Sequence, residues 1–260
     1  MTITLKFTDL SKKLFEILKS FSGKQLNLFT SGGSVLKLFK EDISELDTSQ
    51  WTVYFVDERI TTNIDDLNWA LAEKTFFKFF RGNYLKLTNE NLHIYDEVID
   101  KQMIELAIIG MGEDGHIASL FPHMGTGFYV NFSNELINKN VTRETLMANL
   151  DSNTEHSSSE RTQKTSDSVT NGVKSKLLSP YILEIDGSPK PPPKRYSLTP
   201  LALSKIQSIC IFVSAGAKRK ERILPHDGIL KSVKTEIIVY HPEEMWSEDE
   251  KTKILKDVRK

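Results

Sequence analysis

The sequence contains a single cysteine among 260 residues, and this scarcity excludes several kinds of protein. Cys210 has no second cysteine to pair with, so an intramolecular disulfide cannot form and a zinc site built from cysteines is excluded. Small extracellular domains that depend on disulfides are thereby excluded as a class, and a reducing compartment fits the chain best.

The sequence also lacks a long apolar run and an excess of charge of either sign. No segment approaches the ~20 uninterrupted apolar residues that a membrane-spanning helix needs. The N-terminal residues mix lysines with apolar side chains and show no small-residue cleavage pattern, so we expect a cytosolic protein with no membrane partner. With 34 basic and 35 acidic residues the formal net charge is -1, which argues against nucleic acid as a partner.

What the chain does have is a regular alternation of short apolar runs and helical patterns. The helical spacing predicts helices behind Asp9, from Ser34 onward and behind Asp65 or Asp66. Near-continuous apolar runs predict strands that are buried on both faces, at 25–30, 51–56, 105–110, 208–213 and 235–241.

This alternation predicts an α/β fold: a Rossmann-like, mainly parallel sheet with helices on both faces, in one domain over residues 1–260. Residues 149–176 depart from the pattern, because they are rich in Ser, Thr, Asn and charge and contain no aromatic residue. They offer too little apolar surface to offset the entropy of ordering, so we predict a mobile surface insertion. A linker between two domains is disfavoured, because strand-like sequence resumes at 181–186.

Four polar motifs lie at the ends of predicted strands, at the edge where parallel sheets bind ligands: SGGS at 31–34, DER at 57–59, GMGEDGH at 110–116 and SAGAKRK at 214–220. The third, GMGEDGH at 110–116, matches the GxGxxG pattern of dinucleotide-binding turns. Glu113 and Asp114 would repel a pyrophosphate there, so we expect the glycines to shape a turn that presents His116. A histidine in this place can act as a general base oriented by Asp114 or Asp57, although a lone histidine is more often a surface or core residue.

The other motifs contain groups that suit an anionic ligand. Backbone N–H groups of the SGGS turn, Ser31, Gly32, Gly33 and Ser34, are typical of phosphate sites, although a tight turn explains the two glycines equally well. Lys194 and Arg195 follow a rigid proline run and can bind phosphate, unless that run is only an extended loop or a peptide ligand. The basic residues at 218–222 are typical of a solvated helix face, with Lys218 placed to reach a site at the strand end.

Four stretches together carry a resemblance to a known family. The motifs SGGS, VYFVDER with DDLN behind it, LAIIGMGEDGHIASLFP and SPKPPPKRYSLT resemble, in order and spacing, those of the 6-phosphogluconolactonases, which are relatives of glucosamine-6-phosphate deaminase. The third motif is highly specific and the first, taken alone, is not. The resemblance extends from the N-terminal helix to about Tyr240 and leaves the serine-rich stretch unexplained.

The resemblance implies hydrolysis of 6-phospho-D-glucono-1,5-lactone to 6-phosphogluconate, the second step of the oxidative pentose phosphate pathway, with no metal and no organic cofactor. It implies that His116 activates water and that Asp114 or Asp57 orients it. The groups implied to hold the phosphate and sugar hydroxyls are Ser31, Gly32, Gly33, Ser34, Arg59, Gly112, Lys194 and Arg195.

Two alternatives stay open beside the lactonase. Deaminases of the superfamily typically have a tyrosine after the DE pair and an FNEP-like sequence behind the histidine, whereas this chain has Arg59 and ASLFP. A non-catalytic sugar-phosphate-binding protein would have the same pocket. Departures from the family pattern at Ile117 and His123 remove no proposed catalytic group. The sequence leaves the oligomeric state open, with a monomer slightly favoured.

Overall fold

The computed structural model describes residues 2–39, 43–124, 168–170, 173–213 and 223–258. Two sheets and six α-helices organise this part of the chain. The strands are β1 (Ile3–Thr8), β2 (Leu26–Thr30), β3 (Trp51–Phe55), β4 (Asp57–Arg59), β5 (Asn83–Leu85), β6 (Ile104–Gly110), β7 (Ser168–Thr170), β8 (Val173–Leu177), β9 (Ile182–Asp186), β10 (Arg195–Leu198), β11 (Ile206–Phe212) and β12 (Glu236–Pro242).

The larger sheet has seven strands in the order β1-β12-β11-β6-β2-β3-β5, and all of its pairs are parallel. Every residue of β2 is buried, as are four consecutive residues of both β6 and β11. Because successive side chains point to opposite faces, these central strands are covered on both sides. The predicted α/β fold with a mainly parallel sheet is thus confirmed.

The six helices are α1 (Leu10–Lys19), α2 (Asn68–Lys74), α3 (Leu92–Lys101), α4 (Pro200–Ser204), α5 (Asp227–Ser232) and α6 (Glu248–Val258). Asp9 caps α1 as predicted, because its carboxylate accepts hydrogen bonds from the N–H groups of Ser11 and Lys12. None of the helices described is both long and apolar enough to cross a membrane.

The helix predicted from Ser34 is wrong. The segment forms two short 3₁₀ helices, Leu36–Leu38 and Ile43–Glu45, with residues 40–42 outside the described part. Val35 and Leu36 are both buried, and the ring of Phe39 packs 4.5 Å from that of Phe76. Apolar side chains at nearly successive positions therefore follow the core, instead of lining one face of an α-helix.

A smaller, antiparallel sheet was not predicted. Its order is β4-β10-β9-β8-β7, and β4 follows one residue after β3, so Val56 joins the two sheets. Within the stretch 149–176, residues 168–170 and 173–176 belong to strands β7 and β8 of this sheet. Residues 149–167, the main part of the predicted insertion, lie outside the described residues, as do the basic residues at 218–222.

The parallel sheet reverses its strand order between β2 and β6. From β2 the chain adds β3 and β5 on one side, and it then places β6 and β11 on the other side. Such a reversal opens a crevice at the carboxyl ends of the two central strands, where α/β proteins bind ligands. The turns after β2 and β6 therefore face each other across the position at which a site is expected.

Candidate active site

A cleft of about 230 Å³ lies at this reversal point. Three sequence motifs that are distant along the chain converge on it: the SGGS turn after β2, the DER segment that forms β4, and the glycine turn after β6. Its lining comprises Ser31, Gly32, Gly33, Ser34, Asp57, Arg59, Asn68, Gly110, Met111, Gly112, His116, Ala118, Lys190, Pro191 and Arg195.

Two hydrogen bonds join the turns on either side of the crevice. The N–H of Ser31 donates to the carbonyl of Ile108 at 3.0 Å. The N–H of Gly110 donates to the Ser31 hydroxyl at 2.8 Å. Ser31 thus fixes the start of the SGGS turn against the end of β6, where the histidine turn begins.

His116 and Asp114 form a hydrogen-bonded pair at the mouth of the cleft. Nδ1 of His116 contacts Oδ1 of Asp114, and the same carboxylate oxygen accepts from the backbone N–H of His116 at 3.3 Å. Only 12% of the His116 side chain is exposed, and its ring lies 4.6 Å from that of Phe121. With Nδ1 engaged by the carboxylate, Nε2 is the ring nitrogen left to act on a ligand.

The charge state of Asp114 follows from its surroundings. Burial alone would raise its pKa, but the hydrogen bond and the charge of His116 outweigh this effect, helped by the charge of Lys190. The pKa of Asp114 consequently lies well below its usual value. The residue is therefore a carboxylate at neutral pH.

The glycines of the GMGEDGH turn are explained by the histidine. A Cβ atom on Gly112 would lie 2.0 Å from the His116 ring, so only glycine leaves room for the side chain. Gly115 has a φ of +85°, a conformation that other residues rarely adopt. The backbone closes the turn through a hydrogen bond of 2.8 Å from the Gly112 N–H to the His116 carbonyl. The turn is shaped to hold the imidazole, as predicted.

Asp57 lines the same cleft but is engaged elsewhere. Its carboxylate accepts a hydrogen bond from the Ser119 hydroxyl at 2.9 Å, and its carbonyl accepts from the Asn68 amide at 2.8 Å. Asp57 is 5% exposed. Of the two carboxylates suggested as partners of His116, the structure therefore brings Asp114 into contact with it and ties Asp57 to Ser119.

Glu58, which follows Asp57 in β4, connects the backbone of β4 to that of α2. Its carboxylate accepts hydrogen bonds from the backbone N–H groups of Arg59 at 2.8 Å, Asn68 at 2.7 Å and Trp69 at 3.0 Å. Burial raises the pKa of Glu58 to about 7, against the three N–H donors that lower it. The residue joins β4 to the start of α2 and thereby holds Arg59 beside Asn68.

Among the cationic residues of the cleft, Arg195 is bonded to the proline-rich loop. Arg195 is 4% exposed, and its guanidinium donates to the carbonyls of Lys190, Pro191 and Pro192 at 3.0 to 3.2 Å. These bonds hold the proline-rich loop over the site. Arg195 thus lines the cleft and at the same time braces the loop.

Lys194 does not line the cleft. Its side chain is 53% exposed and its Nζ lies 3.7 Å from the Asp186 carboxylate, while Lys190 lines the cleft instead. Lys190, Asn68 and Ser119 were not assigned to the site from the sequence, although Lys190 lies beside the same proline run as Lys194 and Arg195. The sequence signals were present but weak: Lys190 precedes the prolines, Asn68 ends the DDLN motif, and Ser119 lies in ASLFP.

Two further points concern phosphate and metal ions as ligands. Lys218, a candidate for phosphate contact, lies outside the described residues. Among the residues that the structure describes, no group of three His, Cys, Asp or Glu side chains lies close enough together to hold a metal ion.

Several known proteins are similar to this chain in sequence. A sequence profile described as glucosamine-6-phosphate isomerases/6-phosphogluconolactonase matches residues 7–130. A probable 6-phosphogluconolactonase of Schizosaccharomyces pombe is 26% identical, over 78% of this chain and 72% of its own. A glucosamine-6-phosphate deaminase of Lactobacillus delbrueckii is 29% identical, over 46% of this chain and 56% of its own.

The fold is also found among solved structures. A crystal structure of a 6-phosphogluconolactonase from Shewanella baltica superposes with a TM-score of 0.58 at 17% identity, covering 93% of this chain and 97% of the other. The sequence profile, the curated relatives and the shared fold agree with the motifs that converge on the cleft. Over residues 7–130 the chain is similar to the family of glucosamine-6-phosphate isomerases and 6-phosphogluconolactonases, and its fold is shared with a solved 6-phosphogluconolactonase.

Proposed function

We propose that this protein hydrolyses 6-phospho-D-glucono-1,5-lactone to 6-phospho-D-gluconate. The observation that carries the proposal is the His116–Asp114 pair at the mouth of a cleft that also contains Arg59, Lys190 and Arg195. A lactone is an activated ester, so a general base and oriented donors suffice to hydrolyse it without a nucleophilic serine or cysteine.

The first step is attack by water on the C1 carbonyl. Nε2 of His116 takes a proton from the water as its oxygen bonds to C1, and the carbonyl electrons move to the C1 oxygen. Asp114 keeps the ring in the tautomer with the proton on Nδ1 and stabilises the imidazolium that forms. Backbone N–H groups of a glycine turn are the donors we assign to the developing oxyanion.

The second step breaks the bond between C1 and the ring oxygen. The C1 carbonyl re-forms as this bond breaks, and the imidazolium of His116 donates its Nε2 proton to the departing oxygen. The ring opens to the acyclic acid and His116 returns to its neutral form. One histidine therefore acts as base and then as acid, so a single well-oriented imidazole is enough.

The cations of the cleft orient the substrate. Arg59 and Lys190 supply positive charge at the lining, and the SGGS turn supplies backbone N–H groups at the switch point of the sheet. We assign the phosphate and the sugar hydroxyls to these groups. Holding a charged substrate in one pose converts binding energy into orientation of C1 toward His116.

The residues behind His116 favour the lactonase over a deaminase. The resemblance implies a glutamate in this region for deaminases, whereas residues 117–122 contain no acid. Phe121 packs on the His116 ring there, and Ser119 donates to Asp57. The carboxylate that contacts this histidine is Asp114, which does not lie in that segment.

The proposed reaction is the second step of the oxidative pentose phosphate pathway, and we expect the protein to act in the cytosol on a small sugar-phosphate lactone. We expect neither a nucleic acid nor a membrane as a partner.

The test is the disappearance of freshly generated 6-phosphogluconolactone, corrected for spontaneous hydrolysis. The natural chain is compared with His116→Ala and with His93→Ala, a control on the exposed face of α3. We expect acceleration by the natural chain and by His93→Ala, and a loss of about 100-fold or more in His116→Ala.

Other outcomes separate the alternatives. Absence of acceleration by the natural chain, together with release of ammonia from glucosamine 6-phosphate, would replace the lactonase by a deaminase. Tight binding of 6-phosphogluconate without turnover of either substrate would identify a non-catalytic sugar-phosphate-binding protein.

A further inference from the structure

Two buried polar atoms that belong to residues lining the cleft have no hydrogen-bond partner among the described residues. One is the acceptor Oδ1 of Asn68 and the other is the donor Nε of Arg59. Buried polar groups are nearly always paired, and leaving one unpaired costs about 1–3 kcal/mol. Two such atoms in one ligand cleft, one acceptor and one donor, indicate a ligand group that can satisfy both.

The orientation of the Asn68 amide is fixed by its other end. Nδ2 donates to the Asp57 carbonyl at 2.8 Å, so Oδ1 is the end that is left over. A flipped amide would place Oδ1 against that carbonyl, two acceptors facing each other. The residue is 1% exposed and is the first residue of α2, so its position is fixed as well.

Arg59 and Asn68 are held side by side by one carboxylate oxygen. Oε1 of Glu58 accepts from the backbone N–H of Arg59 at 2.8 Å and from that of Asn68 at 2.7 Å. A terminal N–H of Arg59 donates to the Asp66 carbonyl, which anchors the guanidinium on the α2 side of the cleft. The two unpaired atoms thus belong to two residues whose backbones are held side by side by Glu58.

A hydroxyl group is the ligand group that fits both atoms, because it accepts one hydrogen bond and donates another. A phosphate oxygen would satisfy Arg59 but would leave Oδ1 of Asn68 facing an acceptor. We propose that Asn68 is a specificity-determining residue whose Oδ1 accepts a hydrogen bond from one sugar hydroxyl, while Nε of Arg59 donates to the same hydroxyl. This inference rests on the proposed function and deepens it.

The Gly32–Gly33 turn packs on the Asn68 amide and lies between Oδ1 and an entering hydroxyl. Gly32 lies against the amide so closely that a Cβ there would be 1.9 Å from Oδ1. The next residue, Gly33, has a φ of +67° and nothing within 4 Å of the position of a Cβ, so the turn has free space on its outer side. Contact between a sugar hydroxyl and Oδ1 therefore requires the Gly32–Gly33 turn to shift outward as the sugar enters.

The test is a double-mutant cycle between the protein and the ligand, with calorimetry as the readout. The natural chain and Asn68→Ala are titrated with 6-phosphogluconate and with its 2-deoxy, 3-deoxy and 4-deoxy derivatives. We expect Asn68→Ala to weaken 6-phosphogluconate by about tenfold. For one deoxy derivative the natural chain and the variant should bind with equal affinity, which identifies the hydroxyl.

Asn27→Ala is the matched control. Asn27 is also buried and its amide also donates to a backbone carbonyl, that of Met103 at 2.9 Å, but it does not line the cleft. Asn27→Ala should lower the free energy of unfolding without changing the affinity for any of the four ligands.

The outcomes distinguish this inference from the proposed function. Asn68→Ala could lower the affinity for all four ligands by the same factor, or for none of them. In either case Asn68 has only a structural role and contacts no hydroxyl, and the inference is wrong. If the natural chain hydrolyses the lactone in that case, the proposed function stands by itself. If the natural chain neither binds 6-phosphogluconate nor hydrolyses the lactone, both fail.

Discussion

Asp114 contacts Nδ1 of His116 from only two residues away, within one glycine turn, and the same oxygen also accepts from the His116 backbone N–H. Most pairs of this kind join distant segments of a chain. Here the orienting carboxylate and the base belong to one turn, so the turn itself fixes the geometry and needs no other element to bring the two groups together.

Replacing Asp114 by Asn should therefore lower kcat at least tenfold with little change in affinity for 6-phosphogluconate. The amide can still contact Nδ1, but it can no longer stabilise a proton on the ring by its charge. Steady-state hydrolysis of the lactone and calorimetry with 6-phosphogluconate measure the two effects.

The matched control is Glu113→Gln, which removes the neighbouring exposed acid of the same turn. Its kcat should stay within about twofold of the natural value. Equal losses in Asp114→Asn and Glu113→Gln would mean that the net charge of the turn matters and the contact with Nδ1 does not.

Gly112→Ala should abolish most of the activity while the fold persists. The added Cβ would lie 2.0 Å from the His116 ring and 2.8 Å from the Asp114 carboxylate, so the imidazole must move out of its position. A displacement of about 1 Å at a catalytic group can cost about 100-fold in rate.

Gly110→Ala tests the same turn without this clash. A Cβ there would lie 3.4 Å from the Ser34 hydroxyl and farther from its other neighbours, a contact that a small adjustment relieves. The loss should be at most severalfold, compared with about 100-fold for Gly112→Ala. Similar losses in both variants would indicate general distortion of the turn and would speak against a specific effect on His116.

Lys190→Ala should weaken 6-phosphogluconate far more than unphosphorylated gluconate, because Lys190 lines the cleft and supplies positive charge. Lys194→Ala should have little effect on either ligand, since its side chain is half exposed and faces Asp186. Competitive inhibition of lactone hydrolysis by the two acids gives the affinities. A larger effect at Lys194 would show that the proline-rich loop adopts another arrangement when ligand is bound.

Much of the fold could be predicted because the parallel strands are marked by composition. The stretches 25–30, 51–56 and 105–110 are apolar at almost every position, which a strand covered on both faces requires, and all three are strands of the parallel sheet. The polar turns that follow them lie at the carboxyl edge by the geometry of parallel sheets alone. The convergence of SGGS, DER and GMGEDGH on one cleft was therefore predictable.

The second sheet and the detailed contacts could not be predicted in this way. β4 has three residues, all of them charged, and it pairs with β10 across more than a hundred positions of sequence. Strand β1 alternates apolar and polar residues over six positions, which is a strand signal that the prediction did not include. Which carboxylate contacts His116, and which lysine faces the cleft, depend on loop conformations that no periodic pattern encodes.

Stability should depend on pH through His241, which the proposed reaction does not use. The residue is fully buried, its Nε2 lies 2.8 Å from the Ile223 carbonyl, and the rings of Phe7 and Trp246 pack against it. Burial lowers its pKa below the ordinary value of 6.5, against the opposing effect of that carbonyl. Below about pH 6.5 the unfolded chain therefore binds a proton at this site more readily than the folded chain, and stability falls as the pH falls.

His241→Gln removes the titration and keeps an amide donor for the carbonyl. At pH 7.5 the natural chain should be the more stable of the two, because the glutamine lacks the ring contacts. At pH 5.5 the difference in free energy of unfolding between the two proteins should be smaller than at pH 7.5. Urea unfolding of both proteins at the two pH values measures this change. A difference that stays constant, or widens toward low pH, would mean that His241 accepts a proton in the folded state at least as easily as in the unfolded chain.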